Sequence, residues 1–313
     1  MLTRRMVLAA IGIMTVLPTK LLANAANTVL PLWPATPPGG GGPNGPVSEN
    51  AKGAISNIAV PSIETFQPAK PNGVAVLVAA GGGYKRIEMK KEAIPAAKWL
   101  TDRGFTVFVL TYRLPGEGWS DGPLAPLQDA QRALRLIRQN ASRFQIDPER
   151  IGVLGFSAGG HLLGLASTRS AFSSYNAVDM TDSLSARPIF SGLIYPIITL
   201  EAPYDHTSSR RILIGKHPSP AESAEWSVQT HVRSQCPPMF LVQAKDDPIS
   251  DPANTRIMAD ACKQADIPVE LHQLASGGHG FGMGEKDAPT GMWPDYFSTW
   301  LAKVDVSAAQ QHR

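Results

Sequence analysis

The chain has 313 residues, 43% of them hydrophobic and 18% charged, which suits one large domain with a full core. Its formal charge of +3 resides in Arg4, Arg5 and Lys20, because residues 1–25 hold no acid and the remainder is balanced. That balance argues against nucleic acid or anionic lipid as a partner.

Arg4-Arg5, an apolar run from Met6 to Leu17 and the small residues Ala23-Asn24-Ala25 read as an export signal, residues 1–25, cleaved before Ala26. The run is too short to cross a ~30 Å hydrocarbon layer, so the mature protein is expected in the periplasm or outside the cell with no stable membrane span. Thr3-Arg4-Arg5-Met6-Val7-Leu8 resembles a twin-arginine motif, and a general secretory signal fits equally. Residues 26–50, with Pro31, Pro34, Pro37, Pro38 and Gly39 to Gly42, cannot form a helix. They are expected to form an irregular arm before a folded domain at 51–306 and a tail at 307–313.

Within that domain, short apolar runs at Ile58–Ile63, Val74–Ala79, Thr106–Thr111, Ile151–Phe156, Phe190–Tyr195, Met239–Gln243 and Val269–Leu274 predict strands. Most are continuously apolar, as in strands buried on both faces. Leu127, Ala130, Leu134 and Ile137 recur at helical spacing, and Ala158–Ser167, Asn254–Ala265 and Asp295–Val306 predict further helices. The alternation implies an α/β fold, a mostly parallel sheet with helices on both faces and chemistry at the strands' carboxyl ends. Cys236 and Cys262 fall before a strand and late in the following helix, at one sheet edge; a disulfide and two buried thiols both fit.

Gly155-Phe156-Ser157-Ala158-Gly159 follows a predicted strand and opens a helix, the setting of a nucleophile elbow with Ser157 at its tip. The helix N-terminus puts the Ala158 N–H where negative charge would develop. A serine hydroxyl needs a base. Of seven histidines, His279 alone sits in a glycine-rich loop, Gly277–Gly282, after a strand. His161, four positions past Ser157, is expected to pack or bond beneath the site. The orienting carboxylate should lie between serine and base, in Asp246-Asp247-Pro248-Ile249 after the strand Met239–Gln243. Either aspartate fits, and Asp247 is favoured because Pro248-Ile249 turns the chain back. Gly81-Gly82-Gly83 after the strand Val74–Ala79 exposes backbone N–H donors for an oxyanion. The mixed charges Lys85, Arg86, Glu88, Lys90, Lys91 and Glu92 read as a solvated surface.

Together these motifs resemble the acetylxylan-esterase-like branch of the α/β-hydrolases. The resemblance also includes Leu30-Pro31-Leu32-Trp33-Pro34, Tyr112-Arg113-Leu114-Pro115 and Ala125–Ala133, and it covers nearly the whole chain after the signal. It implies an α/β-hydrolase fold without a large cap domain, nucleophile Ser157, acid Asp247 and base His279. Oxyanion donors would be Gly82, Gly83 and Ala158, with no metal and no organic cofactor. Family members commonly carry a proline where this chain has Ala80, and His-Glu-Gly at Lys91-Glu92-Ala93. The second departure puts substrate contacts from that segment in question.

The implied activity is a serine esterase that removes acetyl or small acyl groups from xylan-type polysaccharide or oligosaccharides. A general short-chain carboxylesterase, a feruloyl esterase and a prolyl-oligopeptidase-type peptidase are the alternatives, and residues 26–50 are too few for the extra domain the last usually carries. Tyr84, Trp119 and Trp226 are candidate substrate contacts, with Tyr204 and His206 on the connection from Tyr195 to Pro238, where Pro196, Pro203, Pro218 and Pro220 leave no long amphipathic helix.

Overall fold

The computed structural model describes residues 27–311, so the export signal lies outside the described residues. Eight strands form one sheet: β1 (Thr28–Pro31), β2 (Ser62–Phe66), β3 (Ala75–Ala79), β4 (Thr106–Thr111), β5 (Ile151–Phe156), β6 (Ser191–Ile194), β7 (Met239–Ala244) and β8 (Val269–Leu274). Their spatial order is β1-β2-β4-β3-β5-β6-β7-β8. β2 runs antiparallel to both its neighbours, and every other pair is parallel. The helices are α1 (Ile94–Thr101), α2 (Leu124–Gln139), α3 (Ser157–Thr168), α4 (Ser208–Ile214), α5 (Pro220–Glu225), α6 (Ala253–Gln264) and α7 (Trp293–Gln311). Every residue of β3, β5 and β7 is buried. Successive strand side chains face opposite ways, so both faces of the sheet are covered.

The expected strands after the first match closely; the differences lie at the edges. Ile58 is buried in a loop, and the second strand begins at Ser62, after Pro61, with a half-buried alternating pattern. The sheet also starts earlier than expected, because Thr28–Pro31 pairs with β2 inside the proline-rich arm. An edge strand tolerates proline where a central one does not. α1 is not among the expected helices, and Pro95 in its first turn is compatible with a helix start.

The rest of the arm is fastened to the domain rather than loose. Arg113, fully buried, pairs with Asp129 on α2 (3.0 Å) and donates to the Pro38 carbonyl. The Trp33 indole donates to Asp129 (2.8 Å), and Arg132 donates to the Leu32 carbonyl. Each buried charge thus has a partner, without which burial would cost several kcal/mol. Cys236 and Cys262 are buried free thiols, and burial pushes Cys262 up to about 12. No described helix is long and apolar enough to cross a membrane.

Candidate active site

β5 passes directly into α3 at Ser157, whose φ of 50° is unusual for a residue with a side chain. The flanking glycines make this turn possible. A Cβ on Gly155 would lie 2.5 Å from the Gly159 carbonyl oxygen, and one on Gly159 would lie 2.3 Å from that of Ala79. Strand, helix and the end of β3 therefore meet at a spacing that only glycine permits.

Ser157 Oγ lies 2.8 Å from His279 Nε2, and His279 Nδ1 lies 2.7 Å from Asp247 Oδ2. An ionised carboxylate only accepts, so Nδ1 carries the imidazole proton and Nε2 is free to accept from Ser157. Asp247 is itself fixed on all sides. Its Oδ1 accepts from the N–H groups of Ile249 (2.8 Å) and Ser250 (2.9 Å), and Oδ2 accepts from Gln243 Nε2 (2.7 Å). Asp246 instead is exposed and accepts from the Gly278 N–H (2.9 Å), bracing the loop that carries His279.

The glycine run after β3 lies against Ser157: a Cβ on Gly81 would sit 2.6 Å from Ser157 Cβ. Gly82 and Gly83 have φ of 124° and 65°, and neither N–H donates to another described residue. The Ala158 N–H, in the first turn of α3, has no intrahelical acceptor. The three N–H groups expected as oxyanion donors thus lie on the two segments that meet at Ser157.

His161 lies beneath the site. Its Nε2 must donate to the Trp226 carbonyl (2.7 Å), which leaves Nδ1 to accept from the Tyr84 hydroxyl (2.9 Å). Burial lowers its pKa to about 4, so the ring is neutral.

The three aromatic residues expected to touch substrate are packed inside. Tyr84 is 1% exposed with its hydroxyl on His161, Trp226 is 9% exposed against the core, and Trp119 is 5% exposed beside Arg113. Tyr204 is half-buried and His206 exposed. One member of the charge run also departs from expectation. Arg86 and Lys90 make surface ion pairs, but Glu92 is 2% exposed and points inward. Its Oε2 accepts from the Gly81 N–H at 2.6 Å.

A polar cavity of about 270 Å³ flanks His279, lined by Lys91, Ser276, Glu285 and Thr290 among others. Among the described residues no cluster of three or more His, Cys, Asp or Glu is arranged to hold a metal. The arrangement can do nucleophilic chemistry: an activated hydroxyl, a base with its orienting acid, and backbone donors at one point.

A family model described as BD-FAE matches residues 63–261. An acetylxylan esterase from Xylanibacter ruminicola is 33% identical over 223 residues, covering 70% of this chain and 43% of that protein. An endo-1,4-beta-xylanase B from Butyrivibrio fibrisolvens is 32% identical over 227 residues, covering 72% of this chain and 34% of that protein. The chain thus spans less than half the length of these two relatives. Among solved structures, an acetyl ester-xyloside bifunctional hydrolase from Caldicellulosiruptor lactoaceticus superposes with a TM-score of 0.72 at 32% identity, covering 89% of this chain and 96% of that one. An esterase from Lactobacillus plantarum, 22% identical with a TM-score of 0.64, shares the fold. The strand order, the turn at Ser157 and these matches describe an α/β-hydrolase fold, and the chain belongs to the BD-FAE family.

Proposed function

We propose that this protein is a serine carboxylic-ester hydrolase that removes acetyl or other small acyl groups from xylan-type polysaccharide or its oligosaccharides. The observation that carries the reading is the continuous chain Ser157–His279–Asp247, closed by two hydrogen bonds of 2.8 and 2.7 Å. The names of the two relatives and of the first structural neighbour support the acyl and sugar classes.

In this mechanism Ser157 Oγ attacks the ester carbonyl carbon while His279 Nε2 takes its proton. The Asp247 carboxylate holds the imidazolium, and the N–H groups of Gly82, Gly83 and Ala158 receive the oxyanion. Collapse breaks the bond to the sugar oxygen, and His279 returns the proton to that leaving alcohol. Water then enters, loses a proton to His279 and attacks the acyl-serine. The carboxylic acid departs and the proton returns to Ser157.

Acyl size follows from the walls. The connection between β6 and β7 carries no helix longer than α4 and α5, of 7 and 6 residues, and the cavity beside His279 is polar. A long acyl chain buried in an apolar tunnel would gain ~0.8 kcal/mol per methylene, and these walls offer no such burial. The expected result with p-nitrophenyl esters is a kcat/KM that falls steadily from acetate to octanoate, together with acetate release from acetylated xylan. A rise toward octanoate would point instead to a lipase-like enzyme.

A further inference from the structure

Two buried titratable groups beside the triad take no part in these steps. Glu92 is 2% exposed and Tyr195 is fully buried. Between them they touch both loops on which the chemistry depends. At the head of the glycine loop, the Gly81 N–H donates to Glu92 Oε2 (2.6 Å). The Tyr195 hydroxyl accepts from the Gly282 N–H (2.9 Å), on the loop of His279, and so directs its single proton to Glu92 Oε1 (3.0 Å). The Tyr195 ring meets the His279 ring edge-on, with centroids 5.0 Å apart. Tyr195 has a φ of 38°, a conformation a bulky residue keeps only where its surroundings impose it.

The charge on Glu92 follows from its partners. In this arrangement both Glu92 oxygens accept, Oε2 from the Gly81 N–H and Oε1 from the Tyr195 hydroxyl, a bonding pattern suited to a carboxylate. Burial works in the opposite direction and raises its pKa above the usual carboxylate range, against the donors and the attraction of His279. The titratable groups facing it are Tyr195 after β6, His279 after β8, Glu88 on its own segment and Tyr112 just after β4, whose hydroxyl donates to the Ala80 carbonyl (2.9 Å). Of these only His279 can become a cation.

We propose that Glu92 and Tyr195 form a positioning relay that locks the oxyanion-donating loop to the loop of the base, and that the Glu92 carboxylate favours the His279 imidazolium formed in turnover. The relay rests on the serine-hydrolase reading and adds to it a second carboxylate, which reaches the base through space rather than through the Asp247 bond.

The test compares wild type, Glu92→Gln, Tyr195→Phe and the double variant on p-nitrophenyl acetate over a range of pH, with thermal melts of each. Both single variants should lower kcat by roughly 10-fold or more with KM nearly unchanged, because misplaced donors cost transition-state binding. The double variant should lose little beyond the worse single one. In Glu92→Gln the acid limb of kcat/KM should move to lower pH, since loss of the anion makes imidazolium less favourable. In Tyr195→Phe, which keeps the anion, that limb should stay nearer its wild-type position.

Wild-type kcat and an unmoved acid limb in a folded Glu92→Gln protein would overturn the relay. If Glu92→Gln fails to fold, Tyr195→Phe decides alone, because it keeps the buried ring; an unchanged kcat there overturns the relay. An inactive wild-type protein would instead overturn the hydrolase reading, and the relay with it.

Discussion

Replacing Ser157 with alanine should lower kcat by roughly 10³-fold or more while the protein melts at nearly the wild-type temperature. The activity loss follows from the 2.8 Å bond to His279 Nε2, which has no other hydroxyl partner among the described residues. The fold should be spared because, among the described residues, the side chain makes only that one hydrogen bond. The φ of 50° at this position belongs to the backbone turn and is imposed by the packing of Gly155 and Gly159, so alanine must accept the same strain. Near-wild-type turnover in pure Ser157→Ala protein, measured with p-nitrophenyl acetate, would mean that another group attacks the ester.

The next largest effect should separate two adjacent aspartates. Asp247→Asn is expected to lower kcat by roughly 10³- to 10⁴-fold, in line with the effect of that substitution in other triads. Asp247 Oδ2 faces two donors, His279 Nδ1 and Gln243 Nε2, while Oδ1 faces the N–H groups of Ile249 and Ser250. An amide nitrogen in either place meets a donor. To escape, His279 must move its proton to Nε2, where it can no longer accept from Ser157. Asp246→Asn should change kcat only a few-fold, because its remaining oxygen can still accept from the Gly278 N–H at the exposed edge of the loop. Steady-state kinetics of the two variants side by side make the check, and the reverse order would reassign the acid.

The contrast between those aspartates was partly legible in the sequence, since Pro248-Ile249 marks the turn that folds Asp247 back beneath His279. The elbow was more legible still. Its glycines, its preceding apolar run and the helix after it are local features, and the structure places them at Ile151–Phe156 and Ser157–Thr168. Local signals fail where burial depends on distant partners. Glu92 sits among Lys90, Lys91 and Glu88, so composition reads it as solvated, yet its partners Gly81 and Tyr195 lie 11 and 103 positions away. Tyr84 and Trp226 have the chemistry of sugar-stacking residues, but one supports the buried His161 with its hydroxyl and the other with its carbonyl. Arg113 and Asp129 stand in motifs shared with the family, and their role is a buried ion pair that fastens the proline-rich arm. A conspicuous motif in this chain therefore marks either the site or the clamp that supports it, and only the three-dimensional partners separate the two.

Acid-quenched mass spectrometry during turnover of p-nitrophenyl acetate measures the central claim most directly. The account predicts a single acetyl group on the peptide containing Ser157, formed in an initial burst and absent from Ser157→Ala protein. Full turnover by the wild type with no acetylated Ser157 peptide at any quench time, or acetyl on a different residue, would contradict it.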